Sequence, residues 1–358
     1  MNIAFFASSL LSAYWNGAAT YYRGIIRALH DNGHRVTFYE PVAWDRPLHR
    51  DIEPPPWCEV VIYEGTEDAA RRHVEMARGA DMIVKASGVG IFDELLEAAV
   101  LELKTPGNLV VFWDVDAPVT LDRMDHDPAD PFRVCVPQYD FILTYGGGVP
   151  VVRGYERFGA KGVFPIYNAL DPATHHPVPP DPRFQADLGL LANRLPDREA
   201  RVEEFFLNAA AALPGRKFLL GGNGWHDKKV PDNVRCLGHV YTADHNAFNC
   251  TSLAVLNICR ASMARYGFSP PTRVFEAAGA GACLITDAWE GVGEFFEPGE
   301  ETLVAHDGAE VAEHLRSLTP ERARAIGEAA HRRALADHTY AQRARQVEGV
   351  LEGNAAAR

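Results

Sequence analysis

Hydrophobic and polar positions along this chain follow two periods. Short, mostly apolar stretches recur at 3–7, 36–39, 60–63, 81–85, 109–113 and 141–144. They are too short for helices and lack polar alternation, so they predict strands buried on both faces. Between them lie segments of helical spacing. Tyr21, Ile25, Ile26 and Leu29 share one face of a helix over 20–29, which Asn32-Gly33 stops, and 69–78, 91–103 and 153–158 read the same way. Strands alternating with helices predict a parallel sheet with both faces covered. The pattern then breaks at 163–180, VFPIYNALDPATHHPVPP, a proline-rich and polar stretch that predicts a domain boundary. A second α/β run follows, with strands at 217–220, 234–237 and 254–258 and helices at 202–213 and 244–250. Helices at 311–318, 321–335 and 340–351 close the chain.

One stretch of the second run concentrates chemistry: YGFSPPTRVFEAAGAGACLITDAWEG, 266–291. Its paired prolines place YGFSPP in a loop. TRVFEAAGAG predicts a short helix with Thr272 as its N-cap and Glu276 in its first turns. ACLIT predicts a buried parallel strand ending at Asp287. A loop, a helix start bearing a carboxylate and a strand ending in Asp form a ligand-binding arrangement at the carboxyl edge of an open sheet. Glu276 is expected to face solvent when no ligand is bound.

Composition narrows the classes. A chain of 358 residues with 47% hydrophobic and 23% charged residues is an ordinary globular protein with room for two domains. Its net charge of −13 argues against a nucleic-acid or anionic-membrane binder, so any phosphate site must be assembled locally. The six cysteines are scattered without a Cys-x-x-Cys pair, which predicts reduced thiols and a cytoplasmic address rather than a zinc site or disulfide framework. The apolar start has no Lys or Arg before Arg23 and reads as a strand and loop, not a signal peptide. No apolar run approaches the length of a membrane span.

The 266–291 stretch resembles the donor-binding segment of GT-B glycosyltransferases, in which a Gly-Phe loop leads to a Glu-bearing helix, a small-residue turn and a strand. The resemblance extends over nearly the whole chain. Asn168, Asp171 and Pro177 match the interdomain segment of that fold. Arg273, three residues before Glu276, resembles the spore-maturation (CgeB-like) group within glycosyltransferase family 1. The resemblance implies two Rossmann-like doubly wound domains facing a cleft: an acceptor domain over 1–166, a linker over 167–181 and a nucleotide-sugar donor domain over 182–337. A terminal helix over 338–358 crosses back to the first domain.

It also implies roles. Glu276 would bind the donor ribose. The partner glutamate of retaining relatives falls on Phe268, which cannot take that role. Arg194 and Arg198, in NRLPDR, resemble the basic pair that stabilises the leaving diphosphate, with one residue fewer between the charges; Arg201 is a spare. Gly222 and Asn223 in GGNGW let backbone approach the donor, His239 and Val240 match the segment meeting the base, and Gly17 and Thr20 match the glycine-bearing first loop. Asp114 and Asp116 are read as cleft-facing, one of them a general base for an acceptor hydroxyl. Asp-x-Asp is also the metal signature of another glycosyltransferase class, but the two-domain layout implies metal-independent transfer with no cofactor. His175-His176 reads as an exposed linker pair. The implied function is hexosyl transfer from a nucleotide-diphosphate sugar to an unidentified acceptor. Two alternatives stay open: an inactive nucleotide-sugar binding protein, favoured by Phe268, and a nucleotide-sugar epimerase on the same fold.

Overall fold

The computed structural model describes residues 1–14 and 16–356. The chain divides into two compact units, Met1–Asn168 with Tyr340–Arg358, and Ala169–Thr339.

In the first unit the apolar runs form a parallel sheet of β1 (Asn2–Phe6), β2 (Arg35–Pro41), β3 (Glu59–Tyr63), β4 (Met82–Ala86), β5 (Leu109–Asp114), β6 (Phe141–Thr144) and β7 (Val163–Pro165). Their order is β3-β2-β1-β4-β5-β6-β7. Every residue of β4 and β5 is buried, as continuous apolar runs require. Some helices start at a side chain that accepts from one of their free N–H groups. Thr66, for example, caps Glu67–Met76 by accepting from the Ala69 N–H at 3.3 Å. The helix Tyr340–Ala356 belongs to this unit. It packs close because Gly24 has no side chain: a Cβ there would stand 2.1 Å from the Tyr340 ring. Arg343 donates to the Tyr167 carbonyl at 3.2 Å, and the Tyr21 hydroxyl donates to the Ile166 carbonyl at 2.8 Å.

The second unit repeats the plan with β8 (Leu188–Leu191), β9 (Phe218–Gly221), β10 (Val234–Gly238), β11 (Ala254–Asn257), β12 (Leu284–Asp287) and β13 (Leu303–Ala305), in the order β10-β9-β8-β11-β12-β13. Both orders are doubly wound, reversing beside the first strand of each sheet. The carboxyl ends flanking that reversal are where such sheets bind ligands; in this unit they belong to β8 and β11.

Two central features depart from the sequence pattern. β8, the strand on which the second sheet turns, is only LGLL, and β13 only three residues; both are too short to register as apolar runs. Gly189 in β8 admits the Phe248 ring, which a Cβ would meet at 2.7 Å. The helix expected over 202–213 begins earlier, at Pro196, where a missing N–H is harmless. It runs through a π-helical turn, Glu203–Leu207, to Ala212. The earlier start places Arg198 and Arg201 on its first turns, beside the end of β8. Thr319 and Pro320 begin the helix Pro320–Asp337 as expected, with the Thr319 hydroxyl accepting from the Arg322 N–H at 3.2 Å.

Candidate functional site

The second unit gathers most of the candidate residues at the carboxyl edge of its sheet. The loops after β8 and β9 are laced backbone to backbone. The Gly222 N–H donates to the Gly238 carbonyl at 2.7 Å and the Arg194 N–H to the Asn223 carbonyl at 2.9 Å. The Asn193 side chain accepts from the Asn223 N–H at 2.9 Å. Gly222 has φ +126°, and a Cβ there would lie 2.1 Å from the Ala192 carbonyl oxygen, so only glycine fits. His239 reaches Asn223 at 3.4 Å. Val240 is buried and its carbonyl accepts from His245 Nε2 at 3.2 Å.

The arginines divide by environment. Arg194 is already engaged: it contacts Glu199 at 2.7 Å and Asp227 at 2.8 Å, donates to the Gly224 carbonyl and lies over the Trp225 ring. It braces this loop rather than presenting open donors. Arg201 is fixed to Asp287 at 2.6 Å, deep at the end of β12, and donates to the Cys259 carbonyl. Asp287 is fully buried and also accepts from the Cys259 N–H; burial still holds its carboxyl above the usual range. Arg198 differs from both. Its Nε is inaccessible and has no hydrogen-bond partner. Burial lowers its pKa, and the positive charges of Arg260 and Arg273 lower it further. Arg260 donates to Asp197 at 2.7 Å.

Glu276 corrects an expectation. It is 4% exposed, not open to solvent. The helix Thr272–Gly279 turns it inward, so that Arg273 approaches one carboxylate oxygen at 2.8 Å and His175 Nε2 the other at 3.9 Å. Thr272 is the first helical residue and Pro271 occupies the cap, so the expected Thr272 cap is also corrected. Phe268 takes a left-handed backbone, φ +45°, its N–H donating to the Glu290 carbonyl at 2.6 Å. Its ring covers Gly291, where a Cβ would lie 2.3 Å from it.

His175 is 2% exposed, against the expected exposed linker pair. It folds back because Asp171 organises a turn: the Ala173 N–H and the Thr174 hydroxyl donate to its carboxylate, and the His175 N–H to its carbonyl. His245, on the helix Thr242–Thr251, joins it. Sequence reasoning assigned nothing to His245, because a single histidine in a short helix carries no signal of a partner in a distant turn.

The first unit holds the remaining candidates. Asp114 is fully buried at the end of β5 and accepts from the Ser87 hydroxyl at 2.7 Å, the Asp116 N–H at 2.8 Å and the Tyr155 hydroxyl. The expectation that it faces a ligand is corrected: its oxygens hold the strand end. Asp116 is half-buried at the start of the helix Ala117–His126. Gly17 is exposed and has open space where a Cβ would stand, and Thr20 is half-buried in the first turn of Ala19–Asp31. Among the described residues no helix is long and apolar enough to cross a membrane.

Residues 198–349 match the sequence model of a family described as glycosyl transferase-like. No curated protein matches the sequence. In three dimensions the chain is similar to sucrose-phosphate synthase from Thermosynechococcus elongatus, with 16% identity, a TM-score of 0.73 and 100% of each chain covered. It is similar to HepE from Anabaena in complex with UDP-glucose, at 12% identity and TM-score 0.66, over 99% of this chain and 100% of that one. It is also similar to AviGT4, a glycosyltransferase involved in avilamycin A biosynthesis, at 16% identity and TM-score 0.65, over 100% and 99%. At such identities the likeness establishes the fold, two doubly wound sheets of the GT-B class.

Proposed function

We propose that this chain transfers a hexosyl group from a nucleoside-diphosphate sugar to an acceptor hydroxyl, without a metal ion or other cofactor. The observation that carries the reading is a local cluster of arginines in a protein of net charge −13. Arg198, with a buried donor that has no partner, stands among Arg260 and Arg273 at the carboxyl edge of the second sheet, next to a buried carboxylate. A desolvated guanidinium whose donor has no partner favours an anion, and a diphosphate is the anion this transfer must stabilise. The match of 198–349 to a glycosyl transferase-like family supports the same reading.

In this reading Arg198 and Arg273 hold the diphosphate. Glu276, with acceptor capacity for two hydroxyls, takes the ribose, and the 238–240 turn meets the base. Gly222 and Asn223 let backbone approach the donor, and Arg194 stiffens the loop beneath. The second unit is the donor domain and the first the acceptor domain, with Gly17 and Thr20 in its first loop. The bond from the anomeric carbon to the diphosphate oxygen breaks as the acceptor oxygen bonds to that carbon. The acceptor proton passes to a carboxylate, for which Asp116 is the candidate of the first unit. The Arg273–Glu276 pair fits the CgeB-like group, and the six free cysteines suit a reducing cytoplasm.

HepE is named in complex with UDP-glucose, so uridine diphosphate is the first ligand to test. A ligand that binds only the folded state raises the melting temperature, by an amount that grows with concentration. UDP, or another nucleoside diphosphate, should do so in the presence of EDTA, and donor hydrolysis should persist under chelation. No shift with any nucleoside diphosphate would refute the reading. Binding without turnover would favour the inactive binder, and an isomerised sugar nucleotide the epimerase.

A further inference from the structure

His175, His245 and Glu276 come from a turn and two helices, yet each offers a ligand atom within 4.8 Å of the others. Their state is that of a ligand set. His245 Nε2 lies 3.2 Å from the Val240 carbonyl; donating there fixes the tautomer and leaves Nδ1 carrying its lone pair. That Nδ1 is buried and has no hydrogen-bond partner, and the same holds for His175 Nε2. Glu276 presents one oxygen 3.9 Å from His175 while Arg273 grips the other at 2.8 Å. Metal-binding histidines commonly donate their second N–H to a backbone carbonyl, as His245 does. The surroundings are firm. Asn246 donates to the Thr174 carbonyl at 2.9 Å, tying the His175 turn to the His245 helix. Gly279 lets the turn approach the Glu276 helix, since a Cβ there would lie 2.9 Å from the His175 carbonyl.

We infer that these three side chains form a binding site for a divalent transition metal, and that the ion, once bound, excludes the nucleoside diphosphate by occupying Glu276. Two imidazoles and a carboxylate with a fourth position open suit zinc. Bond lengths of about 2 Å place tetrahedral ligand atoms roughly 3.3 Å apart, so the side chains draw together by rotation about their own bonds. Burial keeps both rings neutral and able to coordinate: it lowers the pKa of His175 and pushes His245 down to about 4. The exclusion rests on the donor reading above; the metal site itself does not.

Cobalt(II) tests the site directly, because in a tetrahedral nitrogen–oxygen field it gains visible absorption bands. The full chain, freed of metal and without nucleotide, should develop these bands up to one equivalent. His245→Ala and His175→Phe, the latter filling the buried space, should weaken binding at least about tenfold. His306→Ala, at an exposed histidine beside Glu310, should leave it unchanged. No saturable band in the wild type overturns the site; bands retained by both variants, each checked for native circular dichroism, overturn the ligand assignment. His245→Gln, which keeps volume and polarity, replaces either variant that does not fold. Cobalt-loaded protein should then bind UDP at least about tenfold more weakly than metal-free protein. Equal affinity overturns the exclusion. Failure of metal-free protein to bind any nucleoside diphosphate refutes the donor reading, and the cobalt bands still decide the metal site.

Discussion

Replacing Glu276 by Gln removes one charge and keeps the shape, and the structure assigns the change two separable consequences. The first is on the fold. Glu276 is 4% exposed and its carboxylate lies 2.8 Å from Arg273. Without it, Arg273 stays close to Arg198 with its nearest counter-charge gone. Breaking a fully buried pair costs about 3–5 kcal/mol. Arg273 keeps some solvent contact, which screens the ion pair, so a loss of about 1–3 kcal/mol is the better figure. For a unit of this size that lowers the melting temperature by roughly 2–12 °C. The second consequence is on binding. If the carboxylate holds the ribose, each lost charged hydrogen bond weakens nucleoside-diphosphate affinity by about 1.5–3 kcal/mol, or roughly 10–150-fold. Calorimetric titration with UDP measures this, with Glu328→Gln, an exposed carboxylate on the helix Pro320–Asp337, as a variant expected to change nothing. A lowered melting temperature with unchanged affinity would refute the donor assignment and leave Glu276 as no more than the partner of Arg273.

Three further outcomes follow from other parts of the molecule. Arg198→Met removes a buried donor that has no partner, so UDP affinity should fall at least about tenfold while thermal stability holds or rises; a drop in both measurements would show that the guanidinium is structural. Asp114→Asn should destabilise the first unit by about 1–3 kcal/mol in urea titration, because Ser87, Tyr155 and the Asp116 N–H all donate to its carboxylate. Glu97 is buried 3.7 Å from Lys85, and burial, only partly offset by Lys85 and Arg123, pushes it up to about 7. With its folded value above its unfolded one, its contribution is fully present below about pH 4.5 and is lost as pH rises towards 7, so wild type should lose stability relative to Glu97→Gln across that window; parallel pH–stability curves would contradict the shift.

Much of this protein was legible from residue order alone, for local reasons. Long apolar runs such as LVVFW mark central strands because a strand covered on both faces has no polar position to spare. Thr319-Pro320 marks a helix start because capping is settled within one turn. GGNGW marks a tight turn at a strand end, and Gly222 sits with φ +126° against the Ala192 carbonyl, where no side chain fits.

What the sequence could not determine lies where distant segments meet. β8 is the strand on which the second sheet reverses, but its four residues become a strand only through pairing with β9 and β11 on either side. Arg194, Arg198 and Arg201 are equivalent in a string of letters. Packing divides them, fixing Arg194 to Glu199 and Asp227 and Arg201 to Asp287 while leaving the Arg198 Nε buried without a partner. The sequence pattern points Asp114 towards a cleft and Glu276 towards solvent, yet both are buried, beside Ser87 and Tyr155 in one case and His175 in the other. His175 and His245 acquire their relation only when the Asp171 turn folds against the helix Thr242–Thr251. The charge and donor capacity of a side chain are local properties, carried by the residue type. The solvent and partners that decide their use come from segments far apart in the chain, and those are brought together only by the tertiary fold.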